Sequence, residues 1–261
     1  MPHTLADPTG FLMDLGSTIW EDEQFVRSYD VDCTGKLKLS SVFNYFQETA
    51  GNHATHLGVG YDILQKSGLF WVLSRAAVRV RRSPAWGERV WVQTWPTGFD
   101  GLLFLRDLRI RSERNEPLIE AVTAWILLDG TTYRPQPASA LPIPLPPMDT
   151  THLIEQPLRK LKAPPILRHA YERSVLLGDL DVNNHVNNAR YVEWLFDCYD
   201  AAFVRSHSVL MMQVNYLGEV TLGDRIVLSR SENADTSGVH YIDGLSSEKD
   251  AKVIQALITW D

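Results

Sequence analysis

The 261-residue chain has few cysteines, no long apolar run and no excess of positive charge. Its two cysteines, Cys33 and Cys198, lack the spacing of a metal site or a disulfide framework, which favours a reducing compartment. No apolar run approaches the roughly 18 residues that a membrane span needs, and a net charge of −7 argues against nucleic acid or a membrane surface as a partner. Residues 1–20 lack a basic region followed by an apolar core, so we expect no signal peptide and a soluble, cytoplasmic protein.

What is present is enough apolar sequence for a sizeable core, since hydrophobic residues make up 44% of the chain. In the first half, residues 40–57 carry apolar side chains at helical spacing, and residues 58–68 predict a loop. Alternating apolar and polar residues predict strands at Gln24–Val31, Trp71–Arg82, Arg89–Trp95, Leu103–Ser112 and Glu120–Asp129. A helix followed by an antiparallel meander indicates an α+β fold.

A break in composition divides the chain. Nine of the fourteen prolines lie between Pro135 and Pro165, and proline cannot donate to a central β-ladder. We therefore predict an N-terminal domain at residues 1–134, an extended linker at 135–168 and a C-terminal domain at 169–261.

The second half repeats the pattern of the first. A helix is predicted from Asn187 to about Phe203. Strands are predicted at Ala170–Leu177, Leu210–Leu217, Arg225–Arg230, Val239–Leu245 and Lys252–Trp260.

The two halves also align residue by residue. A shift of 149 positions places Asp32 on Asp181, and a shift of 136 places Gly87 on Gly223. One long helix wrapped by an antiparallel sheet, present twice, is typical of a tandem (double) hotdog fold. A single unit leaves an exposed sheet edge, so we expect the two halves to pair edge to edge in one continuous sheet.

The stretch Gly178–Tyr191 contains two acids, four amides and one imidazole and leads into the second predicted helix. Such residues favour turns and helix N-caps, which is one interpretation. The other is a reaction centre. Asp181, Asn183 and His185 occupy alternate positions, so an extended backbone would point all three to one side, close to the free N–H groups of a helix start.

The first half differs at these three positions, where it carries Asp32, Thr34 and Lys36. Only the second copy keeps the amide and the imidazole. This asymmetry favours a reaction centre over a purely structural turn.

The chain resembles the acyl-acyl carrier protein thioesterases of plant plastids and bacteria over nearly its whole length. The second half carries a stretch like the family signature Asp-Leu-Asp-Val-Asn-x-His-Val-Asn-Asn, and a later stretch resembles the segment that supplies a catalytic Glu. The family-like stretches of both halves are residues 43–53, 71–75, 83–88, 92–95, 179–188 and 215–220.

The resemblance implies hydrolysis of fatty acyl-acyl carrier protein to free fatty acid and carrier thiol, which ends chain elongation, without a metal or organic cofactor. It implies the catalytic set Asp181, Asn183, His185 and Glu219. Either Glu219 or Asp181 could be the general base, and the other could orient its neighbours or attack directly. Plant members commonly have Cys where this chain has Val220, so we expect no thiol nucleophile.

The acyl tail is predicted to lie in the first half, which lost the polar residues but kept an apolar helix face and apolar strands. The alternative is that these side chains merely fill a solid core. The residues predicted to contact the tail are Val42, Phe46, Ala50, Leu73 and Ala76.

Partners and rival functions complete the prediction. The expected partner is an acyl carrier protein bearing a fatty acyl chain, and a homodimer is a possible assembly. Because such carriers are acidic, docking would need basic side chains, for which the candidates are Arg79, Arg81, Arg82, Arg168 and Arg173. The rivals are an acyl-CoA thioesterase, a double-hotdog hydratase or dehydratase, and a non-catalytic acyl-binding module.

Overall fold

A computed structural model describes residues 18–261 except 147, 149, 156–157 and 232–237. Most of the stretch on which the signal-peptide expectation rests therefore lies outside the described residues. The first half contains β1 (Trp20–Phe25), α1 (Leu39–His56), α2 (Tyr61–Lys66), β2 (Leu69–Val80), β3 (Arg89–Asp100), β4 (Leu103–Ser112), β5 (Pro117–Asp129) and the short β6 (Pro135–Gln136). The second half contains β7 (Leu167–Ser174), α3 (Asn188–Phe196), α4 (Ala201–Ser206), β8 (Val209–Tyr216), β9 (Arg225–Ser231), β10 (Val239–Ser246) and β11 (Ala251–Trp260).

The strands form one sheet that runs through both halves in the order β1-β3-β4-β5-β2-β8-β11-β10-β9-β7, with β6 paired to β5. The joint between the halves is the antiparallel pair of β2 and β8, in which Ala76 lies opposite Val214 and Val78 opposite Met212. The predicted edge-to-edge pairing of the two halves is therefore confirmed, and the joint removes an exposed edge from each half.

The first helix matches its prediction closely, but the second does not. The helix predicted to reach Phe203 ends at Phe196, and a new helix begins at Ala201. The Asp200 side chain accepts a hydrogen bond from the N–H of Phe203 at 2.8 Å, so it caps a fresh helix start. Helical spacing continues across the break, which is why periodicity alone joined the two pieces.

Two further differences lie near the first helix. The first strand ends at Phe25 rather than Val31, because the Asp30 carboxylate accepts hydrogen bonds from the Arg27 N–H and the Tyr45 hydroxyl and closes a turn there. The segment predicted as a loop at residues 58–68 contains the short helix α2, whose Leu64 is buried.

One continuous core joins the two halves on the helix side of the sheet. Val42 and Phe43 from α1 belong to the same buried cluster as Val192 and Leu195 from α3. The helices α1 and α3 thus lie side by side on one face of the sheet. Among the described residues, no helix is long and apolar enough to span a membrane.

The proline-rich segment packs against the other face of the sheet. We call the described part of residues 151–160 the cross-sheet segment. Its Ile154 is buried with Ala77 of β2 and Val122 of β5, while the alternate strand residues Ala76 and Ala121 belong to the helix-side core. This part of the segment is therefore anchored to the sheet.

The cross-sheet segment also spans the joint between the halves. The guanidinium of Arg75 on β2 donates to the Leu158 carbonyl at 2.7 Å. The side-chain amides of Gln213 and Asn215 on β8 donate to the Arg159 carbonyl at 2.6 and 3.0 Å. The segment therefore contacts both strands of the joint.

Candidate active site

The polar stretch forms a tight turn that is closed by the bridge between Leu180 and Val186. Asp181 Oδ1 accepts the N–H of Asn183 at 2.8 Å and that of His185 at 3.3 Å, and Asn184 lies in the left-handed region at φ 61°. The extended backbone on which the same-side argument rested is therefore absent, and that part of the prediction is wrong. The turn interpretation is observed directly, and the site interpretation stays a prediction.

Glu219 reaches this turn from the loop after β8. Its Oε2 lies 3.3 Å from Nε2 of His185, and the N–H of Val186 donates to the Val220 carbonyl at 2.9 Å, which joins the two loops. Lys249 Nζ donates to the Glu219 carbonyl at 2.5 Å and holds the loop from the other side. The His185 and Glu219 side chains are 28% and 36% exposed, so they can meet both water and substrate.

The start of α3 offers fewer free donors than expected. The N–H groups of Asn187, Ala189 and Arg190 donate to the Asp179 carbonyl, to Asn187 Oδ1 and to the Asn187 carbonyl, respectively. Of the N–H groups of residues 187–190, that of Asn188 has no acceptor among the described residues. It remains available to a negatively charged oxygen at the positive end of the helix.

A cavity of about 440 Å³ lies between α1 and the sheet of the first half and extends to Val182 and Asn183 in the turn. Its wall is mostly apolar and includes Val59, Leu64, Trp71, Phe104 and Trp125. An apolar cavity of this size that ends at polar groups is typical of a small-molecule site.

The five residues predicted to contact an acyl tail are placed differently. Ala50 lines this cavity. Phe46, Leu73 and Ala76 line a neighbouring void of about 20 Å³. Val42 is fully buried in the core between the helices and the sheet.

The cavity wall also contains a cation that sequence reasoning missed. The guanidinium of Arg106 on β4 donates to His53 Nδ1 at 2.9 Å and to Thr94 Oγ1 at 3.0 Å, and burial lowers the pKa of Arg106 to about 10. Burial, followed by the charge of Arg106, lowers the pKa of His53 to about 3, so its ring is neutral. The sequence did carry a signal for this residue. Arg106 lies between Phe104 and Leu108 at every second position of the strand, so its charge is predicted to share a face with two apolar side chains.

Most of the proposed docking cations are paired with acids. Glu120 is 3.7 Å from Arg79 and 2.8 Å from Arg81, and Arg82 makes two bonds to Glu88. In the second half, the Arg173 guanidinium lies 2.7 Å from Asp179. Four of the five candidates thus have acidic neighbours, but the single charge of Glu120 is shared by Arg79, Arg81 and Arg109. The basic docking surface stays a prediction.

Comparison with known proteins gives the family. The model of the acyl-ACP (acyl carrier protein) thioesterase N-terminal domain matches residues 18–139, and that of the C-terminal domain matches residues 168–261. A palmitoyl-acyl carrier protein thioesterase of Cuphea hookeriana is 30% identical over 92% of this chain and 61% of its own length. An acyl-ACP hydrolase of Cuphea viscosissima is 30% identical over 91% of this chain and 60% of its own length. The chain therefore spans about three fifths of the length of these two relatives.

Solved structures share the fold. An acyl-ACP thioesterase from Bacteroides thetaiotaomicron superposes with a TM-score of 0.83 at 21% identity, over 94% of this chain and 98% of that one. The 12:0-ACP thioesterase from Umbellularia californica gives 0.76 at 23% identity, over 95% and 99%. These structures confirm the predicted α+β double hotdog. With both of its domain models matched, the chain belongs to the acyl-ACP thioesterase family.

Proposed function

We propose that this protein hydrolyses the thioester of fatty acyl-acyl carrier protein to free fatty acid and carrier thiol, and so ends chain elongation. The observation that carries the proposal is the apolar cavity of the first half, which ends at Asn183 in the polar turn of the second. An acyl tail in the cavity would be removed from water, which favours binding by about 0.8 kcal/mol for each buried methylene. Its thioester would then lie at the turn.

The chemistry needs an activated water and a stabilised oxyanion. A water beside the His185–Glu219 pair would lose its proton to that pair and attack the thioester carbonyl carbon. The oxygen of the tetrahedral intermediate would accept hydrogen bonds from the Asn188 N–H and the Asn183 amide. The intermediate would then expel the carrier thiolate, which takes up the proton.

A hydrolysis assay over a panel of acyl-carrier and acyl-CoA thioesters tests this function. We expect release of free thiol and free fatty acid, a higher kcat/KM on carrier substrates than on CoA substrates, and no enoyl product. Enoyl formation would instead indicate a hydratase or dehydratase, a preference for CoA would indicate an acyl-CoA thioesterase, and binding without turnover would indicate an acyl-binding module. His185→Ala is the matched inactive control.

The partner and the compartment belong to the same proposal. The acyl carrier protein is proposed as the partner, and the net charge of −7 argues against nucleic acid or a membrane in that role. A cytoplasmic location is proposed because Cys33 and Cys198 are both unlinked, which suits a reducing compartment. The plant relatives carry the description chloroplastic. A homodimer stays a prediction, which light scattering of the purified protein checks.

A further inference from the structure

The turn that holds the candidate catalytic residues has a copy in the first half. In the second half, the Asp181 N–H donates to the His185 carbonyl at 2.8 Å, and the Asn184 N–H donates to the Asp181 carbonyl at 3.0 Å. Asp181 Oδ1 accepts the N–H groups of Asn183 and His185. One carboxylate oxygen therefore binds both of the residues that follow at alternate positions.

The first half makes the same bonds with Asp32 in place of Asp181. The Asp32 N–H donates to the Lys36 carbonyl at 2.9 Å, and the Gly35 N–H donates to the Asp32 carbonyl at 3.0 Å. Asp32 Oδ1 accepts the N–H of Thr34 at 2.7 Å and that of Lys36 at 3.4 Å. Gly35 has a φ of 75° where its counterpart in the second half has 61°. The two turns thus share these four backbone N–H bonds, and Asp32 Oδ1 accepts one further bond, from the Thr34 hydroxyl at 2.6 Å.

The copies differ in the side chains at the two alternate positions after the aspartate. The first copy carries Thr34 and Lys36 where the second carries the amide and the imidazole, and the shift of 136 positions places Ser83 on Glu219. The aspartate thus persists in a turn that has lost its reactive side chains, whereas the glutamate is present only in the second copy.

From this internal comparison we propose that Asp181 is a positioning residue, which holds Asn183 and His185 in the turn, and that Glu219 is the carboxylate that takes the proton, directly or through His185. The inference rests on the proposed hydrolase function and decides between the two bases that the sequence left open. A direct attack by Asp181 on the thioester is excluded by the same assignment.

Exchange of the carboxylate for an amide separates the two roles. Asp181→Asn keeps Oδ1 as an acceptor for both N–H groups and replaces Oδ2 with a nitrogen that can neither take a proton nor attack a carbonyl. We expect Asp181→Asn to keep kcat within about tenfold of wild type, because a neutral acceptor makes the same bonds at roughly half the strength. We expect Asp181→Ala to lose at least ~10²-fold, and Glu219→Gln to lose as much in kcat with KM little changed.

The first copy supplies the control. Asp32→Ala breaks the matching turn away from the site, so it should lower the thermal midpoint about as much as Asp181→Ala while kcat stays at the wild-type value. The acidic limb of the pH profile of kcat/KM should be the same in Asp181→Asn as in wild type.

Two results would overturn the assignment. One is a folded Asp181→Asn protein that is as inactive as Asp181→Ala. The other is a Glu219→Gln protein that keeps turnover within tenfold of wild type, and this variant decides the matter if Asp181→Asn does not fold.

Failure of the proposed function gives a different result. A wild type that hydrolyses no acyl thioester would refute that function, whereas the thermal midpoints of Asp32→Ala and Asp181→Ala would still test the structural role of Asp181. A large difference between those midpoints would overturn it.

Discussion

Asn183 lines the cavity, and it shares a turn with His185, whose Nε2 lies 3.3 Å from Glu219 Oε2 on the neighbouring loop. We expect Asn183→Ala, His185→Ala and Glu219→Ala each to cut turnover by at least ~10²-fold, the low end for a general acid–base contribution. Steady-state hydrolysis of an acyl-carrier substrate measures this, and the thermal midpoint checks that each variant is folded, since these side chains are partly exposed. Turnover near the wild-type value in a folded His185→Ala protein would show that the site is misassigned.

The two thiols should be dispensable. Burial raises the pKa of Cys198 to about 12, so its sulfur is protonated and weakly nucleophilic at neutral pH, while Cys33 is exposed in the half without the polar set. We expect the double variant Cys33→Ser with Cys198→Ala to keep kcat. Iodoacetamide should label Cys33 and not Cys198 in the folded wild type, as peptide mass spectrometry would show. A folded double variant without turnover but with normal substrate affinity would reveal a thiol mechanism.

His53 should make stability depend on pH. Its pKa falls from 6.5 to about 3 on folding, so between these values the unfolded chain binds a proton that the native ring does not. The free energy of unfolding therefore decreases as the pH is lowered through this window, by up to about 1.4 kcal/mol per pH unit. His53→Gln, which keeps an acceptor for Arg106, should flatten the dependence measured by urea unfolding. A slope in folded His53→Gln equal to that of wild type would contradict the assignment.

At the scale of elements, the cross-sheet segment is held by one buried carboxylate. Asp107 is fully buried and accepts hydrogen bonds from the Leu153 N–H at 2.5 Å and from Thr97 Oγ1 at 3.2 Å, and it lies 3.0 Å from His152 Nδ1. Its position on β4 means that the segment stabilises the sheet of the first half as well as the joint.

We expect Asp107→Ala to lower the free energy of unfolding by roughly 3 kcal/mol, because it leaves buried donors without their charged acceptor. Urea unfolding measures the loss. Asp100→Ala, at an exposed aspartate at the end of β3, should change stability by no more than about 0.5 kcal/mol. If the two variants lose the same amount, the segment is not anchored through this carboxylate.

At the scale of the whole molecule, the repeat explains why the cavity lies in the first half. The cavity-lining residues Gln47, Ala50 and Ala54 of α1 align, at the shift of 149 positions, with Phe196, Tyr199 and Phe203. In the second half these rings pack together with Trp260, at centroid distances of 5.0 to 5.8 Å. Ala50 and Ala54 on α1 therefore leave room that Tyr199 and Phe203 fill in the second half.

Narrowing the cavity should therefore shorten the preferred acyl chain. Ala50→Phe adds a ring to the cavity wall, and each methylene that no longer fits should lower kcat/KM by about fourfold, the equivalent of ~0.8 kcal/mol. The measurement is the profile of fatty acids released from acyl-carrier substrates of increasing length. Val192→Ala, on the helix of the second half, is the control. An unchanged profile in folded Ala50→Phe together with a shifted profile in Val192→Ala would place the tail in the second half.

Much of the fold could be predicted because its signals are local. Strand alternation and the helical spacing of α1 are carried by consecutive residues, so β4 was placed at its observed bounds and most other strands to within a few residues. The double hotdog followed from a repeat that is visible in the order of residues. The proposed site residues came from one continuous motif and the family resemblance.

What the sequence left open depends on residues that are distant in the chain. The end of α3 depends on a cap at Asp200, and the pairing of Arg79 and Arg81 depends on Glu120 from another strand. Whether an apolar face is packed or lines a cavity depends on the size of the side chains opposite it. A sequence determines which surfaces are apolar and which backbone segments turn, but only the tertiary structure decides which of those surfaces meet, because contact and burial are properties of pairs of elements.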